Sequence, residues 1–144
     1  MKSLSNYKNL SSEDILDRII EADLNYEAAI KDGDAKKATK HTNIAIVLEA
    51  ELINRDQLLM LKKLFTNNDV NVKISAAAIL LHVIPEEAEK ILEEIIYGPF
   101  VHGQGRAEII FHSFRAGDIE KPKALTSEKI ASNLAWGKEH GYIK

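Results

Sequence analysis

The stretch of this chain best suited to hold a phosphate is Gly98-Pro99-Phe100-Val101-His102-Gly103-Gln104-Gly105-Arg106. Glycines let a backbone approach an anion closely, and a helix N-terminus offers unpaired N–H groups to it. A P-loop, however, requires Lys-Ser or Lys-Thr after its second conserved glycine, and a strand before the loop. Here Gln104-Gly105 follows Gly103, and a helical pattern precedes the loop. The expectation is a plain connector between helices, with an anion held by Arg106 as the alternative.

Five histidines raise the question of a metal. His112 follows Glu108 by four residues, which places both on one helix face, and His102 lies in the loop before them. A zinc site needs three or four ligands at matched spacing. The chain has neither a His-x-x-x-His pair nor a Glu-x-x-His pair, and the di-iron bundle pattern is missing with them. No metal and no cofactor are expected. Paired carboxylates occur at Glu13/Asp14, Glu86/Glu87 and Glu93/Glu94. The first two pairs suit the positive ends of helices, and the third falls on a solvated helix side. Acid–base catalysis needs burial that shifts a pKa, and nothing in these patterns calls for it. Ser75 and Ser113 have no local base signature, and a catalytic triad cannot be read from one sequence. Asn43, in the middle of a helical stretch beside Ile44, is expected to be partly buried and hydrogen-bonded. No catalytic residue is expected.

The elements that would carry these residues are helices. Ser11-Ser12-Glu13-Asp14 resembles a capping box, and Ile15, Ile19, Ala22, Tyr26 and Ile30 recur at three- and four-residue steps. Asp32-Gly33-Asp34 ends this first helix and caps the next. The second runs from about Ala35 to Asn54, with Ala38, Ile44, Ala45, Val47, Leu48 and Leu52 inward. Leu58, Leu61 and Phe65 carry a short third helix. Thr66-Asn67-Asn68-Asp69 is a turn, and a fourth helix spans Val70 to His82. Pro85 opens a fifth helix, which Tyr97-Gly98-Pro99 stops. A sixth runs from about Arg106 to Arg115, with Ala107, Ile110, Phe111 and Phe114 inward, and Gly117 closes it. Residues 117–125 read as a connector, and Thr126 caps a last helix over about Ser127–Trp136. Trp136 and Tyr142 are the aromatics most suited to an interface; the simpler expectation is that the last helix folds back and buries Trp136 as an end cap. No segment longer than four residues alternates with period two. The fold class is all-α, with short connections between antiparallel neighbours.

Composition supports this and removes other classes. The chain has 144 residues, no Cys and a formal net charge of −3. The length suits a single domain over residues 1–144, and the missing cysteines exclude a disulfide scaffold and a thiolate nucleophile. Basic and acidic residues are evenly spread, so binding to duplex nucleic acid through neutralised phosphates is not favoured. No apolar run has the length of a membrane span, and residues 1–14 lack the apolar core of a signal peptide. A cytoplasmic location and no membrane partner are expected.

Residues 58–92 carry the most specific pattern: a leucine-rich helix, an Asn-Asp turn, Val72-Lys73, the small residues Ala76-Ala77-Ala78, Leu80-Leu81, and a Pro before the next helix. Asp69 can cap the second helix of this pair and meet Lys73 one turn on. Asp69, Val72, Lys73, Ala76, Ala77 and Leu80 resemble a HEAT repeat, with Lys73 where such repeats usually have Arg, whose planar fork Lys does not reproduce. Over residues 12–117 the chain also resembles a small bacterial family with an α–α superhelix and no assigned chemistry. The residues that carry this likeness are His41-Thr42-Asn43, Asp69 to Ala77, Pro85-x-x-Ala88 and the Ala107-to-Gly117 ending; residues 118–144 lie outside it. The resemblance implies a short right-handed HEAT/ARM-like superhelix of about three helix pairs plus a C-terminal helix. Some relatives in that family stand near bacterial toxin systems, which implies an immunity or adaptor role.

Stacked helix pairs leave one surface lined by the second helix of each pair. Its polar residues would be Lys37, Lys40 and His41, then Lys73, then Glu108, His112 and Arg115, with Arg106 at the loop. The expected function is a non-enzymatic module that binds another protein. Two alternatives stand beside it: a nucleic-acid-binding or nucleobase-processing protein, and a scaffold that associates with itself as a homodimer or larger.

Overall fold

The computed structural model describes residues 7–101, 103–117 and Ala135. The chain is all-helical, with no strand among the described residues. A 3-10 turn at Tyr7–Asn9 precedes α1 (Ser12–Lys31) and α2 (Ala35–Asn54). A second 3-10 segment, Leu58–Thr66, leads to α3 (Val70–Leu80), α4 (Pro85–Ile96) and α5 (Gln104–Arg115). Of the expected helix at 127–136 only Ala135 is among the described residues; Trp136, His102 and Tyr142 lie outside them. The chain divides into two compact units. One comprises Met1–Met60 with Lys123–Lys144, and the other Leu61–Pro122.

In the first unit, α1 and α2 form an antiparallel hairpin. Ser11 caps α1, its Oγ accepting from the Asp14 N–H at 3.1 Å. Asp34 caps α2 in the same way, its carboxylate accepting from the Lys37 N–H at 3.0 Å. Between them Gly33 takes the left-handed conformation, φ +71°, that reverses the chain at little cost. Ile15, Leu16, Ile19, Ala22 and Ala29 of α1 are buried, and Leu48 and Leu52 of α2 are fully so. The apolar stripe of α1 departs from expectation at its end. Ile30 is 52% exposed and Ala29 takes the inward place, because a 3.6-residue period continues 22, 26 to 29 rather than 30.

The open end of the hairpin is tied by one guanidinium. Arg55 donates from Nε to Glu51 at 3.1 Å, from Nη1 to the Ser12 hydroxyl at 3.1 Å, and from Nη2 to the Lys8 carbonyl at 3.1 Å. Ser12 in turn donates to Gln57. Tyr7 is buried at this end. Its phenol is pushed above the usual range by burial and by the nearby Glu51 carboxylate.

The segment expected as a third α-helix is instead a 3-10 helix over Leu58–Thr66. Its apolar spacing permits either form: Leu58, Leu61 and Phe65 keep the steps of an α-helix, and Phe65 is buried. Leu58, Leu61 and Leu64 recur at steps of three, the period of a 3-10 helix, and Leu61 and Leu64 are buried while Leu58 is half-buried.

In the second unit, Asp69 begins α3 as expected, one carboxylate oxygen accepting from the Asn71 and Val72 N–H groups. α3 ends at Leu80, two residues before the expected His82. Proline disfavours the helical conformation in the residue before it, and Ile84 sits at φ −131°, ψ 67°. The Val83 and Ile84 N–H groups both turn back to the Leu80 carbonyl. Val72, Ile74, Ala76, Ala77 and Leu80 are all buried, so α3 is enclosed on nearly every side. Ala88 and Leu92 of α4 and Ala107 and Phe111 of α5 complete this core.

Candidate functional site

The most distinctive surface in the second unit is the loop between α4 and α5. Tyr97 ends α4 with 75% of its surface exposed, and Phe100 is 92% exposed. Two aromatics of this size left in water on one short loop are unusual in a region with no apolar cover. The loop backbone is held in place. The Gln104 side-chain amide donates to the carbonyls of Ile95 at 3.0 Å, Gly98 at 3.2 Å and Pro99 at 2.9 Å. An amide has two N–H donors, so one proton is shared between two carbonyls. Gly98 is required by space: a Cβ there would lie 2.6 Å from the Glu94 carbonyl oxygen. Gly103 is required by conformation and space together. Its φ is +108°, and a Cβ would stand 2.9 Å from Asn71 Oδ1 and 3.3 Å from Ile74 Cδ1. Replacing Gln104 by Ala is expected to cost about 1–2 kcal/mol of stability. The same change should broaden the amide resonances of Tyr97, Gly98, Phe100 and Val101 in a two-dimensional NMR spectrum; an unchanged spectrum would show that the loop holds itself.

On α5 the expected residues divide between two sides. Arg106 turns towards α3 and donates from Nη2 to the Ser75 hydroxyl at 3.2 Å. Arg115 turns towards α4. It donates from Nε and Nη2 to one Glu89 oxygen at 3.2 and 3.0 Å, and Nη2 lies 3.6 Å from Glu93. Its guanidinium carbon also lies 4.5 Å from the Phe111 ring centre. Arg115 is therefore a brace between two helices, with its charge matched by two carboxylates. Glu108 and His112 are exposed, and Ile109 beside them is 69% exposed. Lys73 does not join Arg106. It precedes Ser75 by two residues, and at 100° per residue the two side chains leave α3 about 160° apart. Asp69, expected to meet Lys73, spends its carboxylate on the helix cap.

The remaining three expected residues belong to the first unit. Lys37 is exposed and Lys40 half-buried. His41 is a correction. Expected on an open surface, it is 3% exposed, because it falls three residues after Ala38 and four before Ala45, on the side of α2 that faces α1. Its Nδ1 is buried without a hydrogen-bond partner. Asn43 is half-buried, as expected.

Two buried carboxyl groups in this unit escaped the sequence reading, Glu49 and Glu51. Glu49 is buried on α2, and its carboxyl is pushed up to about 8 by burial and by the nearby Asp23 charge. It is therefore mostly protonated at neutral pH. The signal was present: Glu49 lies four residues after Ala45, next to Leu48 and three before Leu52, inside the apolar stripe. Among the described residues, no three His, Asp or Glu side chains converge in a way that could hold a metal, and no described helix is long and apolar enough to cross a membrane. No family model, curated protein or solved structure matches this chain.

Proposed function

We propose that this chain is a non-enzymatic module that binds another protein, on a HEAT-like α–α superhelix. The observation that supports it is the Tyr97–Phe100 loop. It places two aromatics in water on a backbone braced by Gln104. Aromatic side chains on a pre-ordered backbone are the usual anchors of protein interfaces, because they bury large area and lose little freedom on binding. Ile109 on α5 is a further exposed apolar side chain in the same unit. The superhelical arrangement draws support from the Asp69 cap and from Ala76 and Ala77 buried at the middle of α3. An immunity or adaptor role is one form of this reading.

The test uses the full chain as bait in a lysate of the source cells, with captured proteins identified by mass spectrometry. The expected result is one dominant partner, retained at least about thirtyfold less well by Phe100→Ala. The thermal melt of that variant should match the parent, since Phe100 is nearly all in water. Capture that is indifferent to Phe100, or a preparation that retains only nucleic acid, overturns the proposal.

A further inference from the structure

We propose that His41 is an acid-sensitive pin in the α1–α2 hairpin: it lets the two helices stay closed while uncharged and favours their separation once protonated. The geometry of the seam carries this. Ala22 and Ala29 of α1 and Ala38 and Ala45 of α2 are all buried. His41 lies on α2 between Ala38 and Ala45 and is 3% exposed, and its Nδ1 is buried with no hydrogen-bond partner. A proton added at Nδ1 creates a donor and a charge at a buried atom where neither is met, so protonation favours any opening of the hairpin that lets water reach the ring.

The charges around the ring agree. Burial lowers the His41 pKa first, and Lys40 and Lys37 on its own helix lower it further; Glu21 on α1 acts in the opposite direction, and the N-terminal amine adds a smaller lowering. The sign follows from linkage. An imidazole held below its ordinary range stays neutral in the folded state while the unfolded chain takes up a proton. Stability is therefore lost as pH falls below about 6.5, the ordinary value. Glu49 on the same helix has the reverse slope over part of this range, since its carboxyl is held well above the usual value. The experiment must silence it.

Hydrogen exchange on the full-length Glu49→Gln chain does so. With intrinsic exchange rates corrected for pH, amides of α1 and α2 should lose protection several-fold between pH 7 and pH 5. Amides of α3 to α5 should keep theirs. In Glu49→Gln/His41→Leu the loss should vanish. Equal protection at both pH values in the first chain, or the same loss in the second, overturns the proposal. Should the double variant fail to fold, the imidazole of His41 in the parent chain is followed by NMR. A midpoint below the ordinary 6.5 supports the pin, and a midpoint at or above it overturns it.

Discussion

Glu49→Gln is expected to stabilise the protein at neutral pH, on the order of 3 kcal/mol at pH 7. The parent carboxyl is buried beside Asp23 and is held up to about 8, against an ordinary value of 4.5. Between those two values the unfolded chain gives up the proton and the folded chain keeps it. The folded state then binds more protons than the unfolded one, so stability falls as pH rises through that window. Each pH unit within it costs about 1.4 kcal/mol. Below pH 4.5 both states are protonated and the penalty disappears; above about 8 it is complete. Glutamine keeps the shape of the side chain, donates and accepts hydrogen bonds, and never ionises. Urea unfolding of both proteins from pH 4 to pH 8 reads the prediction directly. The two stabilities should be similar near pH 4 and diverge steadily above it. Parallel curves would mean that the Glu49 carboxyl is ionised in the folded protein, with a compensating partner.

Leu92→Ala is expected to cost about 2–5 kcal/mol, the range for removing a buried leucine where the surroundings close only partly over the space. Leu92 is fully buried on α4, and Ala88 and Ile95 follow the same inward stripe. The neighbouring helices offer little slack. α3 contributes Ala76, Ala77 and Leu80, all with almost no exposed surface, and small side chains have no rotamers with which to fill a gap. Ile109→Ala is the control. That side chain is mostly in water, so its loss should change stability by no more than about 0.5 kcal/mol. Denaturant melts of the two variants should separate by more than a factor of ten in unfolding constant. A Leu92→Ala cost below 1 kcal/mol would show that the core of this unit is loosely packed.

Much of the fold was legible from residue order alone, because caps and turns act locally. Ser11, Asp34 and Asp69 each cap the helix that their position announced, and Gly33 turns the chain between α1 and α2. The core of α2 was legible as well: Ala38, Ile44, Ala45, Val47, Leu48 and Leu52 are all buried as their spacing required. The 3-10 helix at Leu58–Thr66 was half-legible. Its three-residue apolar steps were visible, but a step of three also begins an α-helical stripe, and only the backbone chose between them.

The candidate site was decided by tertiary structure. Whether an aromatic in a loop is covered depends on what else reaches it, and no spacing rule marks Phe100 as solvent-exposed. Gln104 was visible only as a loop residue, whereas in the structure its amide organises three carbonyls from the preceding turn. Lys73 and the loop residue Arg106 were both expected on the partner-binding surface, yet the pitch of α3 sends Lys73 away from the side that meets Arg106. His41 was read as a surface histidine and Glu49 was passed over, yet both are buried on α2. The sequence by itself determined where helices begin, where they turn and which stripe is apolar, because those depend on neighbours within about four residues. Which polar groups lose water, and with them their ordinary ionisation, was decided only by tertiary structure, because desolvation is set by atoms distant along the chain.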